Sequence, residues 1–94
     1  MLEKEIERRM CGLLKKKGCV TYKLKGLANG LPDRLVVLPG GAVWFVELKT
    51  EKGRLSPMQA HRIGELERQG ANVRVIRGWD AAQRFIEEVA GDGV

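Results

Sequence analysis

Leu2, Ile6, Met10, Leu13 and Leu14 recur three and four residues apart. That spacing predicts an amphipathic helix over 2–17 with one apolar stripe. Lys15, Lys16 and Lys17 suit the negative end of its dipole, and Gly18 stops it. Loose alternation over 19–25 predicts a strand, and 26–32, with two glycines and a proline, a loop. Two nearly continuous apolar runs follow, Leu35 to Leu38 and Ala42 to Leu48, as in strands buried on both faces. Pro39-Gly40-Gly41 between them is a hairpin signal. A polar loop covers 51–56. Ser56-Pro57-Met58-Gln59 then starts a helix, with Ser as N-cap, Pro at the first position and Gln at the third. It runs to about Gln69, before Gly70. Residues 72–76 predict a short strand and 79–90 a last helix, with Trp79, Ala82, Phe85, Ile86 and Val89 inward. The tail 91–94 is expected to fray.

The predicted order is α-β-β-β-α-β-α, an α/β fold in one domain spanning 1–94. No repeat, linker or low-complexity segment interrupts it. No apolar run approaches the roughly 20 residues of a membrane span, and the charged N-terminus has no signal-peptide core. A cytoplasmic setting, with no membrane partner, is expected. Cys11 and Cys19 match no zinc spacing and are expected to be buried thiols.

Formal net charge is +5, with a pI near 9.6. A basic balance favours an anionic partner, of which nucleic acid is the commonest.

Against that charge, the acids on the most apolar elements stand out. Glu47 and Lys49 are two apart on one predicted strand and so share a face. A three-residue Pro39-Gly40-Gly41 loop pairs Leu38 with Ala42, and hence Asp33 with Glu47. A two-residue Gly-Gly loop would pair Asp33 with Leu48, on the other face. Gly41 can supply the left-handed residue that ends a three-residue loop. In that register two carboxylates lie about 5 Å apart and repel. A divalent cation relieves this, since Mg2+ is held by one or two carboxylates, waters and phosphate oxygens. A neighbouring lysine can position the attacking water or steady charge on the phosphate. Any one of these residues alone reads as a strand-end ion pair or a turn acid. The three together, in a basic protein, read as a site for metal-dependent phosphodiester cleavage.

Pro32-Asp33, then Glu47-Leu48-Lys49 after a hairpin, resembles the PD-(D/E)XK nuclease motif. The segment 30-GLPDRLVVLPGGAVWFVELKTEKGRLSPMQ-59 closely resembles the VRR-NUC branch, the virus-type replication-repair nucleases, in its small stand-alone form. The resemblance spans nearly the whole chain. It implies the restriction-endonuclease-like αβββαβ(α) core, a mixed sheet flanked by helices. It implies Asp33 and Glu47 as metal ligands, the Leu48 backbone carbonyl as a third, and Lys49 as the catalytic lysine. Gln59 matches a glutamine on the helix beside the site, although it also suits a capping box with Ser56. The family also carries a first-helix glutamate at the metal site. Glu3, Glu5 and Glu7 compete for it, and on a helical wheel Glu3 lies nearest the stripe, Glu7 second. The cofactor implied is Mg2+ or Mn2+. The implied substrate is structured or double-stranded DNA, cut by a homodimer like the small Holliday junction resolvases, in a bacterial or phage-infected cell during replication and repair.

Lys52, Arg54 and Arg62, with Arg34, are expected to contact the DNA backbone rather than bases. Lys23 and Lys25 can extend that patch. His61 is expected at the surface. Trp44, Phe45 and Trp79 are expected in core or interface, and Tyr22 packed rather than stacked on a base. Two other readings compete. One is a DNA-binding module without catalysis, which would bind with salt dependence and not cut. The other is a metal-free structural or interaction subunit, whose melting temperature would ignore metal.

Overall fold

Helix α1, Glu3–Lys16, buries Ile6, Met10, Cys11 and Leu14. This is the expected stripe with two changes. Leu13 is 36% exposed and Leu2 is 69% exposed. Leu2 is the N-cap and lies outside the helix, so its side chain never joins the packed face; its N–H donates to Glu5 Oε1 at 3.3 Å. The computed structural model describes residues 1–91, and the rest of the expected frayed tail lies outside the described residues.

Four strands follow the order β1-β2-β3-β4: β1 Val20–Lys23, β2 Arg34–Val37, β3 Val43–Lys49 and β4 Asn72–Arg77. The first two pairings are antiparallel and β3·β4 is parallel. The parallel step needs a crossover, which α2, Pro57–Arg68, supplies. Helix α3, Gly78–Ala90, follows β4 directly. The expected α-β-β-β-α-β-α order and mixed sheet are therefore present.

The two faces of the sheet differ. Alternate residues Val36, Val46, Leu48 and Ile76 point into one core with α1 and with Ala82, Phe85 and Ile86 of α3. Trp44 meets Phe85 edge-on, ring centroids 5.4 Å apart. The opposite face carries α2, which packs against β4. Over β1 and β2 that face is thinly covered: Val20 and Tyr22 are exposed. Double-sided burial thus holds for Val46–Leu48 and not for the whole of both runs. Tyr22, expected to pack, is 58% exposed because no helix lies over β1 on its side. Cys11 and Cys19 are buried free thiols.

The hairpin takes the three-residue form. The Leu38 N–H donates to the Ala42 carbonyl at 2.8 Å, and the Gly41 N–H to the Leu38 carbonyl at 2.9 Å. Gly41 has φ 99°, a conformation that side chains disfavour. The pairing Arg34↔Val46 follows, and the next step places Asp33 across from Glu47.

Candidate active site

Asp33, immediately before the start of β2, lies across from Glu47 near the end of β3. In this hairpin the hydrogen-bonded pairs alternate from Leu38/Ala42, so Pro32 falls opposite Leu48. Proline has no N–H, so β2 can offer the Leu48 carbonyl no donor. The Leu48 N–H instead donates to Asp33 Oδ2 at 2.9 Å. One Asp33 oxygen is thereby fixed, and the Leu48 carbonyl edge is left facing the cleft beside it.

Glu47 is 2% exposed, the only buried charged side chain among the described residues. Its Oε2 accepts from Gln59 Nε2 at 3.1 Å and lies 3.3 Å from Lys49 Nζ. Its Oε1 is buried with no hydrogen-bond partner. A buried carboxylate oxygen without a partner is costly. Burial pushes the Glu47 carboxyl above its usual range, and the negative charges of Asp33 and, more weakly, Glu3 push the same way; Lys49 opposes them.

Gln59 arrives through local sequence. Its N–H donates to Ser56 Oγ at 3.1 Å, and its amide oxygen accepts from the Ser56 N–H at 2.9 Å. The capping box and the contact with Glu47 are thus made by one side chain at once.

Of the α1 acids, Glu3 fronts the clefts that hold Asp33 and Glu47. Glu7 is taken by Arg34, 2.6 Å away. Glu5 reaches back to the helix start. Among the described residues no three His, Cys, Asp or Glu side chains cluster closely enough to hold a metal ion. Glu3 therefore fronts the site without joining the inner Asp33–Glu47 pair. Two carboxylates and a backbone carbonyl are hard oxygen donors, the set divalent Mg2+ or Mn2+ accepts with waters completing the shell. The partnerless Glu47 Oε1 is an atom such an ion would satisfy.

The cationic candidates divide. Lys52 and Arg54 are exposed on the loop after β3. Arg34 is engaged by Glu7. Arg62 donates to the Asn29 carbonyl at 3.0 Å and to Glu65 at 2.9 Å, which ties the 25–31 loop to α2. His61 is exposed, 3.5 Å from Glu65. Gly53, between Lys52 and Arg54 in the basic loop, packs on the site lysine. A Cβ there would sit 3.1 Å from the Lys49 Cβ, so the glycine lets the loop close over the lysine stem. Its place in a polar loop gave no sign of this.

Residues 3–80 match the family model described as VRR-NUC domain. A phage protein named "Putative nuclease p44", from Acyrthosiphon pisum secondary endosymbiont phage 1, is 34% identical over 79 residues, covering 83% of this chain and 85% of its own. A solved structure titled VRR_NUC domain superposes with TM-score 0.83 at 31% identity, over 90% of this chain and 94% of that one. Another, titled VRR_NUC domain protein, gives TM-score 0.77 at 20% identity, over 98% and 92%; at that identity the likeness is one of fold.

Proposed function

Because the chain belongs to the VRR-NUC family of nuclease domains, we propose that it is a metal-dependent DNA endonuclease that hydrolyses phosphodiester bonds at Asp33, Glu47 and Lys49. The observation that carries this reading is the buried, partnerless Glu47 Oε1 beside a second carboxylate and a lysine. A plain structural ion pair would not leave an ionisable oxygen buried and bare.

In this reading Asp33, Glu47 and the Leu48 carbonyl would hold a divalent ion, Mg2+ or Mn2+, with Glu3 at the front of the same site. When bound, that ion supplies Lewis acidity to a phosphate oxygen and lowers the pKa of a bound water. The protein's own groups do the rest. Leu48 N–H fixes the Asp33 carboxylate, and Gln59 fixes Glu47, so both acids are set before substrate arrives. Lys49, with its stem under Gly53, presents its ammonium donors to the attacking water and to the charge growing on the phosphate. Lys52 and Arg54 contact the DNA backbone.

Branched DNA as preferred substrate, and a two-fold pair of chains presenting two sites to two strands, belong to the same reading. Its test is cleavage of linear duplex, flap, splayed-arm and four-way-junction DNA in Mg2+, Mn2+ or EDTA, for the parent and Glu47→Ala. Metal-dependent cutting by the parent, lost in the variant, is expected. A parent that binds these DNAs with salt dependence and cuts none of them would make the domain a binding module instead.

A further inference from the structure

A cleft that meets the Gln59 side of the site at Glu3, Lys25 and Asp33 runs from there between α1 and strands β1 and β2. Lys4, Arg8 and Lys15 line it from α1, and Lys23 and Lys25 from the β1 side. On a helix of 100° per residue, positions 4, 8 and 15 fall within about 40° of one another. They make one cationic stripe roughly 16 Å long. Among the described residues none of these five cations makes an ion pair. The acids of this cleft are placed otherwise: Glu7 is neutralised by Arg34, and Glu3 and Asp33 stand at the site end. Five cations facing one cleft from two sides repel one another, and among the described residues none of them is neutralised by an ion pair.

A second observation points the same way. Gly12 lines this cleft beside the stripe, within the third turn of α1. Glycine is the poorest helix former after proline. No neighbouring atom requires it, because a Cβ built there meets nothing within 4 Å. The open side of Gly12 is the cleft itself, where a bare backbone lets a ligand approach closely.

We infer that this cleft is a track for the sugar–phosphate backbone of the DNA, leading into the carboxylate site from the α1 side. The inference rests on the nuclease reading above and adds to it the path and the residues. A length of about 16 Å matches roughly half a turn of duplex. Lysine and arginine on phosphates give affinity and register without reading bases. The track therefore binds regardless of sequence.

The test is salt-dependent binding of a duplex in Ca2+, by fluorescence anisotropy, with Mg2+ cleavage followed in parallel. Lys4→Ala/Arg8→Ala/Lys15→Ala is expected to lower the slope of log K against log salt by about 2–3, and affinity about 100-fold near 0.15 M salt. The control Lys16→Ala/Arg68→Ala/Arg84→Ala removes the same charge from exposed positions off the cleft and should keep the parental slope. Gly12→Gln should raise Tm by about 4–8 °C and yet weaken DNA binding, two effects of opposite benefit that a merely structural glycine would not give. An unchanged slope in the first triple variant, an equal loss in the control, or tighter binding by Gly12→Gln overturns the track while leaving parental cleavage to stand. A parent that neither binds nor cuts any DNA overturns the nuclease reading and the track together.

Discussion

The carboxamide of Gln59 is clamped at both ends: its oxygen accepts from the Ser56 N–H and its nitrogen donates to Glu47 Oε2. A backbone N–H can only donate, so Ser56 fixes which end of the amide faces Glu47. A helix cap, set by four consecutive residues, thereby orients a buried carboxylate on a neighbouring strand. The free Glu47 Oε1 is aimed by the same clamp.

Gln59→Glu separates the two duties. The carboxylate still reaches back to Ser56, so the cap persists, but the donor to Glu47 is gone and a like charge replaces it. Cleavage is expected to fall about 10–100-fold, as for partners that orient metal ligands. Gln59→Ala loses both duties and should also lose about 1 kcal/mol of stability. Equal cleavage by parent and Gln59→Glu, measured at saturating Mg2+, would remove the orienting role.

Glu47 makes stability depend on pH in a direction opposite to most carboxylates. Its folded pKa is raised above 4.5, so the folded state holds the proton more tightly. Its favourable contribution is complete below about pH 4.5 and is lost as pH rises through the raised value. In EDTA, Glu47→Gln should gain Tm relative to the parent as pH rises across that window, and divalent metal should raise the Tm of the parent alone. Thermal denaturation across pH, with and without metal, reads both. A parent whose Tm ignores metal at neutral pH would count against Glu47 as a ligand.

Asp33 can be tested by two substitutions of different meaning. Asp33→Asn keeps an acceptor for the Leu48 N–H and removes the charge. Asp33→Ala removes both and leaves that N–H unsatisfied, at about 1–3 kcal/mol. Both should abolish cleavage, while only the alanine variant melts markedly lower. If Asp33→Asn cuts at the parental rate, the carboxylate has no part in the chemistry.

Gly41 guards the register. Its φ of 99° should make Gly41→Val costly, by about 1–2 kcal/mol. Deleting Gly40 should do more: Pro39 cannot take the positive φ of a two-residue hairpin turn, and a three-residue loop rebuilt from Pro39, Gly41 and Ala42 pairs Leu38 with Val43, moving Asp33 from opposite Glu47 to opposite Leu48 and sending the two acids to different faces. Loss of metal-induced stabilisation in a folded deletion variant would be the signature. Retention of metal-dependent cutting there would show that the register does not place the site.

The chain itself, through short-range geometry, determined a good deal. Residue periodicity set the order of elements, and Pro39-Gly40-Gly41 carried the register that puts Asp33 across from Glu47. Ser56-Pro57-Met58-Gln59 set a helix start, because a cap needs only its own four residues. These features depend on covalent spacing and on bonds between near neighbours.

What the tertiary structure decided involves elements distant in sequence. Nothing local says that Glu7 meets Arg34, leaving Glu3 before the site, since that depends on how α1 lies against the sheet. Nothing local ties Arg62 to the Asn29 carbonyl or seats Gly53 on Lys49. The exposure of Tyr22 follows from α2 covering β4 and not β1. The bare Oε1 of Glu47 exists only because α2 and β3 close around one carboxylate and satisfy just one of its oxygens. Periodicity names the face a residue takes, but burial and partnership are properties of the packed whole.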